Sequence, residues 1–288
     1  MNEEPNHQVV DRVATFYDNH VVKEWTRKDR HPLEFIITEH YLKNHLPPKG
    51  SVIADIGGGP GRYTVMLARW GYSVSLVDLS RENVRFARKK IGELGLEANV
   101  SEIEIGDARN LSRFKDGSFD AVLLLGPLYH LVTEEDRIAT LLEAKRILKG
   151  DGVLFISFLN RYASIIHGFT YWPEGILEER DRFRTLLEEG HSFNFTKDEN
   201  KFAPAYYIRV QEISPLLEKA GLQIIKKVAC EGILGGSDRL KKLDDEIPRE
   251  SVLFKAWVNL ILETCEDEAT LGSSTHILCV CKKKRALG

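Results

Sequence analysis

Apolar residues recur at helical spacing from Val10 through Val13, Ala14, Tyr17, Val21 and Trp25, and predict one amphipathic helix near the N-terminus. Pro32 opens a second helix through Ile36, Ile37, Tyr41 and Leu42, which stops before Leu46-Pro47-Pro48. From there the period changes. Short apolar runs at 52–54, 73–77, 100–105, 121–125 and 152–159 read as strands, separated by stretches of helical period. Gly71 ends the first of those helices, at 63–70. Ser80 caps the next, which Gly95 stops, and Thr133 caps the third, through Ile138, Leu141, Leu142 and Leu148.

Near-continuous apolar strands alternating with helices predict a parallel sheet covered on both faces, an α/β doubly wound architecture. The rhythm breaks at Asn160. It resumes at Ser214-Pro215, read as an N-cap followed by proline at the first helical position, with Gly221 as the stop. A strand at 223–229, a helix around 251–264 and a strand at 276–282 follow. The expected organisation is a single domain: an N-terminal helical cap over 1–48, a core of 49–159 and 212–288, and an insertion over 160–211. Ten of the 26 aromatic side chains fall in the insertion, a concentration that suits a lid over an apolar or aromatic substrate at the carboxyl edge of the sheet. A packed accessory layer or a dimer interface is the alternative.

Composition narrows the partners. A net charge of -3, with 43% hydrophobic and 29% charged residues, describes an ordinary globular chain without the basic excess of a dedicated nucleic-acid binder. The insertion offers no basic groove either, since it carries seven Lys/Arg against eight Asp/Glu. Lys282 to Arg285 read as a solvated tail. No apolar stretch is long enough to span a membrane, and the opening MNEEPNHQ lacks the apolar segment of a signal peptide, so a cytoplasmic location is expected. Cys230, Cys265, Cys279 and Cys281 show no C-x-x-C spacing and read as reduced packing residues.

Candidate chemistry begins with Gly57, Gly58, Gly59 and Gly61, placed between the first core strand and the first core helix. Glycine is kept where the backbone turns sharply or lies close to something. Such a turn is expected to leave backbone N–H groups aimed at one point with a helix N-terminus behind them, which suits an anionic or polar ligand group. The dinucleotide pattern G-x-G-x-x-G fails, because Arg62, Tyr63 and Thr64 occupy the positions open to its third glycine. The phosphate loop G-x-x-x-x-G-K-[ST] fails because Arg62-Tyr63 follows Gly61.

The spelling is Asp55-Ile56-Gly57-Gly58-Gly59-Pro60-Gly61, which resembles the first motif of the class I S-adenosylmethionine-dependent methyltransferases. Asp78 ends the second strand, Gly106-Asp107-Ala108 follows the third, and Asp120-Ala121-Val122-Leu123-Leu124-Leu125-Gly126 matches the fourth-strand motif. ILKGDGVLFIS matches the usual entry to the fifth, so the resemblance runs from 51 to 159 without a gap. It implies a Rossmann-like fold with a seven-stranded, mainly parallel sheet whose last strand is antiparallel, and S-adenosyl-L-methionine as cofactor. GPLYHL, EEDR and SFLNRYAS further look like a bacterial subgroup of small-molecule type.

The resemblance also implies that Asp78 takes the ribose hydroxyls and Asp107 the adenine amino group, with Leu79, Ala108, Leu125 and Gly126 beside them. The chemistry of the ligand agrees: N–H groups of the 57–61 turn suit its carboxylate, Asp55 its ammonium, and a bidentate Asp78 its diol. Asp107 as a turn cap is the alternative. Asp120, at the opposite end of its strand, reads as structural. The N-terminal helices are expected to close over the cofactor, bringing Tyr17 and Arg30, with Trp25, Arg27 and His31, within reach; packing or solvation is the plain alternative.

Residues after the fourth strand exclude several subclasses. Leu125-Gly126-Pro127-Leu128-Tyr129 is not the Asn/Asp-Pro-Pro-aromatic signature of amino-methylating nucleic-acid enzymes, offers no acidic side chain for magnesium, and has no Pro-Cys nucleophile. Metal-independent methyl transfer to a small-molecule acceptor remains, against a nucleic-acid methyltransferase or a catalytically silent S-adenosylmethionine-binding regulator. The reaction needs alignment and, for some acceptors, a base. His130 is the candidate base, Tyr129 beside it orients the acceptor, and His191 in the insertion competes for the role. Alternatively, His130 donates to a backbone carbonyl and only shapes its turn. The sequence leaves the acceptor atom and the oligomeric state open.

Overall fold

The apolar runs form strands β1 (Val52–Ile56), β2 (Ser73–Asp78), β3 (Val100–Ile105), β4 (Phe119–Leu124) and β5 (Leu148–Asn160) in a computed structural model of the chain. It describes residues 4–162, 165–166, 168–169, 173–191, 203–234 and 247–284. A two-residue β6 (Tyr207–Ile208) and the hairpin β7 (Leu222–Ala229) and β8 (His276–Lys283) complete the strands. Their order is β3-β2-β1-β4-β5-β8-β7, with β6 added beside the end of β5. All pairings among β1 to β6 are parallel, and β8 runs antiparallel to both β5 and β7. The sheet therefore has eight strands rather than the expected seven, because the chain pairs Tyr207 and Ile208 with Leu159 and Asn160 as it returns from the insertion.

Helices α1 (Glu4–Asn19), α2 (Val21–Trp25), α3 (Arg27–Arg30) and α4 (Pro32–His45) precede the sheet. The single N-terminal helix expected through Trp25 is thus broken at His20. The ring there turns back, placing Nδ1 2.7 Å from the Phe16 carbonyl oxygen and stacking on the Phe16 ring. Between strands lie α5 (Arg62–Arg69), α6 (Arg81–Glu93) and α7 (Glu134–Ile147). Ser80 and Thr133 cap the last two as expected, their hydroxyls accepting from Asn83 N and Asp136 N.

Beyond β5 come α8 (Gly175–Glu178), α9 (Arg180–Glu189), α10 (Val210–Lys219) and α11 (Val252–Thr264). Ser214-Pro215 does not start a helix: α10 begins earlier, at Val210, and Pro215 lies inside it. Glu212 explains the earlier start, since its carboxylate accepts from Arg209 N at 3.0 Å and satisfies the helix entry.

The alternation of strand side chains divides the core into two layers. Ile56, Val122, Leu124, Leu154 and Ile156 pack with α7 and α10, while Ile53, Leu123, Val153 and Phe155 pack with α4, α5 and α11. Cys279 and Cys281 fall in the first layer, and all four cysteines are buried free thiols. Asp120 ties strand starts together, accepting from Val52 N at 2.9 Å and Lys149 Nζ at 2.7 Å. It lies away from the carboxyl ends of the strands, where the cavity described below opens.

Arg161 fastens the base of the insertion. Its side chain is 2% exposed, donates Nε to Tyr207 O at 3.0 Å, and reaches Tyr206 Oη and Glu212 Oε2 through Nη2 at 3.2 and 3.1 Å. A Cβ at Gly190 would meet that guanidinium, and Gly190 also has the left-handed φ of 83° that ends α9. Of the aromatics behind the lid expectation, Tyr171, Trp172, Phe193, Phe195 and Phe202 lie outside the described residues. Replacing Arg161 with Ala takes one donor from the Glu212 carboxylate, which keeps Arg209 N and Tyr206 Oη, and removes the guanidinium from the Tyr207 carbonyl. It should destabilise the protein by about 1–3 kcal/mol in urea unfolding, the cost of unsatisfied buried polar groups, whereas no measurable loss would make these bonds dispensable.

Candidate functional site

The carboxyl ends of β1, β2 and β4, and the turn after β3, surround one cavity, and α1 lies across it. Val10, Val13, Ala14 and Tyr17 of α1 line it together with Asp55, Gly57 to Gly59, Asp78, Leu79, Asp107, Ala108, Leu125, Gly126, Tyr129 and His130. Helix α1 is anchored on both sides of the cavity. Its Val9, Val13 and Phe16 pack with Leu79, Val132 and Ala203, and Asp18 Oδ1 accepts from Ser80 Oγ at 2.6 Å and Glu82 N at 3.1 Å.

The glycine turn serves close packing rather than a free nest of donors. Gly57 N and Gly58 N both donate to Val77 O, at 2.7 and 3.3 Å, and Gly59 N donates to Asp78 Oδ2 at 2.7 Å. The expected set of ligand-facing N–H groups is therefore already bonded to β2, because the turn folds back along that strand. The glycines are needed for approach. A Cβ on Gly57 would lie 2.6 Å from Pro127 Cδ, and one on Gly58 would lie 2.7 Å from the Asp55 carboxylate. Gly61, with φ of 85°, caps α5 in the left-handed conformation.

The three acidic candidates lie on the cavity in different electrostatic states. Burial pushes the Asp55 carboxyl up to about 6, opposed by Thr64 Oγ1, which donates at 2.7 Å. Asp78 is also raised by burial, although Ser80 N, Asn83 Nδ2 and Gly59 N donate to it. Oδ1 accepts two of these bonds and Oδ2 one, so Oδ2 keeps a lone pair for a hydroxyl. Burial raises Asp107 as well, but the adjoining Arg109 guanidinium, 2.7 Å away at Nη2, brings it net below the usual carboxylate range. Its bidentate grip on Arg109, which also reaches Asp136 at 3.1 Å, fixes the carboxylate at the cavity wall.

Of the N-terminal cations expected near the cofactor, Arg27 reaches the cavity and Arg30 does not. Arg30 is exposed, donates to Lys23 O at 2.5 Å, and does not line the cavity. Trp25 packs on Phe86 instead, and His31 is likewise outside it. Arg27, nearly one turn before Arg30, lines it, because α3 turns that side chain inward against α4 and β8. Its guanidinium holds both Glu34 oxygens at 2.8 Å and lies 2.9 Å from His276 Nε2, while His276 Nδ1 lies 2.8 Å from Glu231 Oε1. Burial and the Arg27 charge act oppositely on Glu34, and Arg27 wins, holding Glu34 far below the usual range. Glu34, Glu231 and His276 are close enough to one another to suggest metal ligands, but Arg27 already supplies the cation among them. Arg62 also lines the cavity; its Nε is buried without a partner, and among the described residues no carboxylate pairs with it. Along the sequence Arg62 stands out only as the residue that breaks a glycine pattern, and no local signal marks it as a cavity cation.

His130 is the junction of the site. Its Nδ1 lies 2.8 Å from Pro204 O, so that nitrogen carries the proton, and Nε2 then accepts from Tyr17 Oη at 2.7 Å. Burial lowers the His130 pKa to about 4, only partly offset by the Pro204 bond. Tyr17 is raised well above its ordinary value by burial, so both groups are neutral at neutral pH. Tyr129 O accepts from Tyr206 N at 2.7 Å, a second tie from the end of the insertion to the same turn. His191 is not at the cavity: it bridges Tyr206 and lies 2.9 Å from Glu189 through Nε2.

The family model described as "Methyltransferase domain" matches residues 54–156. The "Ubiquinone biosynthesis O-methyltransferase" of Xanthomonas axonopodis pv. citri is 30% identical over 203 residues, 69% of this chain and 73% of that protein. Its namesake from Xanthomonas oryzae pv. oryzae is 34% identical over 122 residues, so the chain spans only 48% of that relative's length. A crystal structure of a SAM-dependent methyltransferase from Methanosarcina mazei superposes with a TM-score of 0.56 at 20% identity, covering 85% of this chain and 98% of that one. Fold and site together define an S-adenosylmethionine-dependent enzyme. The chain belongs to the class I S-adenosylmethionine-dependent methyltransferases. No helix among the described residues is long and apolar enough to cross a membrane.

Two outcomes follow from these electrostatics. Asp78→Asn should weaken S-adenosylhomocysteine binding by about 1.5–3 kcal/mol in calorimetry, the scale of lost charged hydrogen bonds; unchanged affinity would remove Asp78 from the ligand. His130, lowered to about 4 when folded, refuses a proton that the unfolded chain accepts below about 6.5. Its contribution is therefore complete above pH 6.5 and lost as pH falls toward 4, on the order of 2–4 kcal/mol. Urea unfolding from pH 7 to pH 4 should show a slope shallower by this amount in His130→Gln than in the wild type, and parallel curves would mean that the imidazole is hydrated.

Proposed function

We propose that the chain methylates a hydroxyl oxygen of a small-molecule acceptor without a metal ion, and that Tyr17 and His130 handle the acceptor's proton. The observation that carries this reading is the Tyr17–His130 pair on the cavity wall, backed by Pro204. The relatives named O-methyltransferase support oxygen as the acceptor atom. The donor set suits the cofactor: Asp78 for a diol, Asp107 for an amino group, and Arg62 at the polar end for a carboxylate. Bound S-adenosylmethionine supplies an electrophilic methyl group on a sulfonium with a neutral thioether as leaving group.

The remaining work is positional and protonic. Tyr17 Oη gives its hydrogen to His130 Nε2, so its lone pairs are left to accept from an acceptor hydroxyl. As that hydroxyl reacts, its proton passes to Tyr17 Oη and the Tyr17 proton passes to His130 Nε2. The resulting imidazolium keeps its Nδ1–H bond to Pro204 O. A base of pKa near 4 is weak toward a free alcohol, but an oxygen gaining a methyl group becomes strongly acidic and yields its proton to such a base. His130 thus acts through Tyr17 rather than by direct contact.

The described return of the insertion at 203–208 supplies the Pro204 carbonyl to His130 and the Tyr206 N–H to Tyr129, which supports reading the insertion as a lid over the acceptor. The cavity sets Glu24, Asp55, Asp78 and Asp107 against Arg27 and Arg62, a balance that favours a small molecule over a nucleic acid.

Acceptor screening with radiolabelled methyl donor, read by mass, tests the reaction. With the acceptor in hand, Tyr17→Phe should retain S-adenosylhomocysteine affinity within a few-fold while turnover falls about 100-fold, the usual weight of general-base assistance. His130→Gln should cost about as much, and the double variant no more than either alone. Additive losses would separate the two residues, and full turnover in Tyr17→Phe would end the relay.

A further inference from the structure

Glu24 of α2 lines the same cavity as Tyr17, Arg27, Tyr63 and Tyr129. Its side chain is half-buried, and among the described residues it makes no hydrogen bond and no ion pair. The backbone of Glu24 is engaged instead. Its N donates to His20 O at 2.9 Å, and its O accepts from Arg62 Nη1 at 3.5 Å. The groups that feel the carboxylate locate it. Burial is the main cause that raises the Tyr17 and Tyr129 phenols, and the Glu24 charge adds to it at both. The anion therefore stands near the Tyr17–His130 pair, where the methyl group is handed over.

An anion drawn partly out of water without a cation costs free energy unless a ligand supplies the opposite charge. The other charges of the cavity show which ligand charge that is. Arg27 is neutralised by Glu34, and Asp107 by Arg109. Among the described residues of the wall, Glu24, Asp55, Asp78 and Arg62 are left without an opposite charge. S-Adenosylmethionine brings a carboxylate, an ammonium, a sulfonium and an uncharged diol. The carboxylate suits Arg62, the ammonium Asp55 and the diol Asp78. One charge remains on each side, the sulfonium and Glu24. Tyr17 and Tyr129 add aromatic rings, favourable neighbours for such a cation.

We propose that Glu24 is the counter-charge of the sulfonium, so that the cavity selects the charged methyl donor over its demethylated product. The inference rests on the methyl-transfer reading and deepens it. Transfer leaves the sulfur neutral, Glu24 then has no charge to hold, and the product departs more readily than the donor.

The test needs no acceptor. Calorimetric affinities for S-adenosylmethionine, S-adenosylhomocysteine and sinefungin are measured on the wild type and Glu24→Gln, with thermal midpoints on the same samples. Sinefungin carries an ammonium where the donor has its sulfonium, and S-adenosylhomocysteine carries no charge there. Glu24→Gln should weaken the donor and sinefungin by about five- to thirtyfold, the scale of one charge pair at a partly solvated site. S-Adenosylhomocysteine should stay within about twofold. Equal loss of all three would assign Glu24 to the amino-acid ammonium they share, or to a structural role, and overturns the proposal. Unchanged affinities overturn it as well. If Glu24→Gln lowers the midpoint, Glu24→Asp keeps the charge but withdraws it by one methylene. Its donor-to-product affinity ratio should then fall about two- to threefold, and an unchanged ratio overturns the proposal equally. A wild type that binds none of the three removes the methyl-transfer reading and this inference with it, whereas binding with a ratio indifferent to Glu24 removes the inference alone.

Discussion

One imidazole joins three separate parts of the chain. His130 sits on the turn after the fourth strand, gives its Nδ1 proton to Pro204 at the end of the insertion, and takes the Tyr17 hydroxyl from the first helix. In the neutral ring Nδ1 donates and Nε2 accepts, and burial favours that state. Among the described residues, this ring is the polar link between α1 and the returning arm of the insertion. Tyr206 N on Tyr129 O and Asp18 on Ser80 are lateral supports for the same closure.

The floor of the cavity obeys a different constraint, the closeness of backbone to backbone. The glycine turn lies against Val77, Asp78 and Pro127, so tightly that Cβ atoms at Gly57 and Gly58 are excluded. This proximity places Asp55 under the turn and Asp78 beside it, and burial then raises both carboxyls. Raised carboxyls are poised for cationic or hydroxylic partners. Asp107 differs because Arg109 compensates it, which makes it an oriented acceptor rather than a charge seeking a partner.

Cationic side chains divide into two kinds. Arg27, Arg109 and Arg161 are enclosed by carboxylates and carbonyls and serve to fix geometry. Arg62, Arg69 and Lys28 have no carboxylate partner among the described residues and lie together on one side of α5. Burying the first group without partners would cost several kcal/mol each. Lys28 and Arg69 are exposed, so leaving them unpaired costs little.

The sequence by itself determined the alternation of strands and helices, the caps at Ser80 and Thr133, the glycine turn, and the carboxylates at Asp55, Asp78 and Asp107. These features are local: hydrophobic period, capping chemistry and motif spacing act over a few residues. Only the tertiary structure decided that Arg27 and Arg62, not Arg30, reach the cavity, since the rotation of the short helix α3 is set by Glu34 and His276 from distant segments. The same holds for His191, which the bridge to Tyr206 draws away, and for Tyr17, which meets a histidine 113 residues later. The break at His20, the early start of α10 and the extra strand β6 also depend on contacts that no local period encodes. Short-range pattern specifies the elements, whereas the pairing of side chains across them is settled by which partners burial leaves within hydrogen-bonding distance.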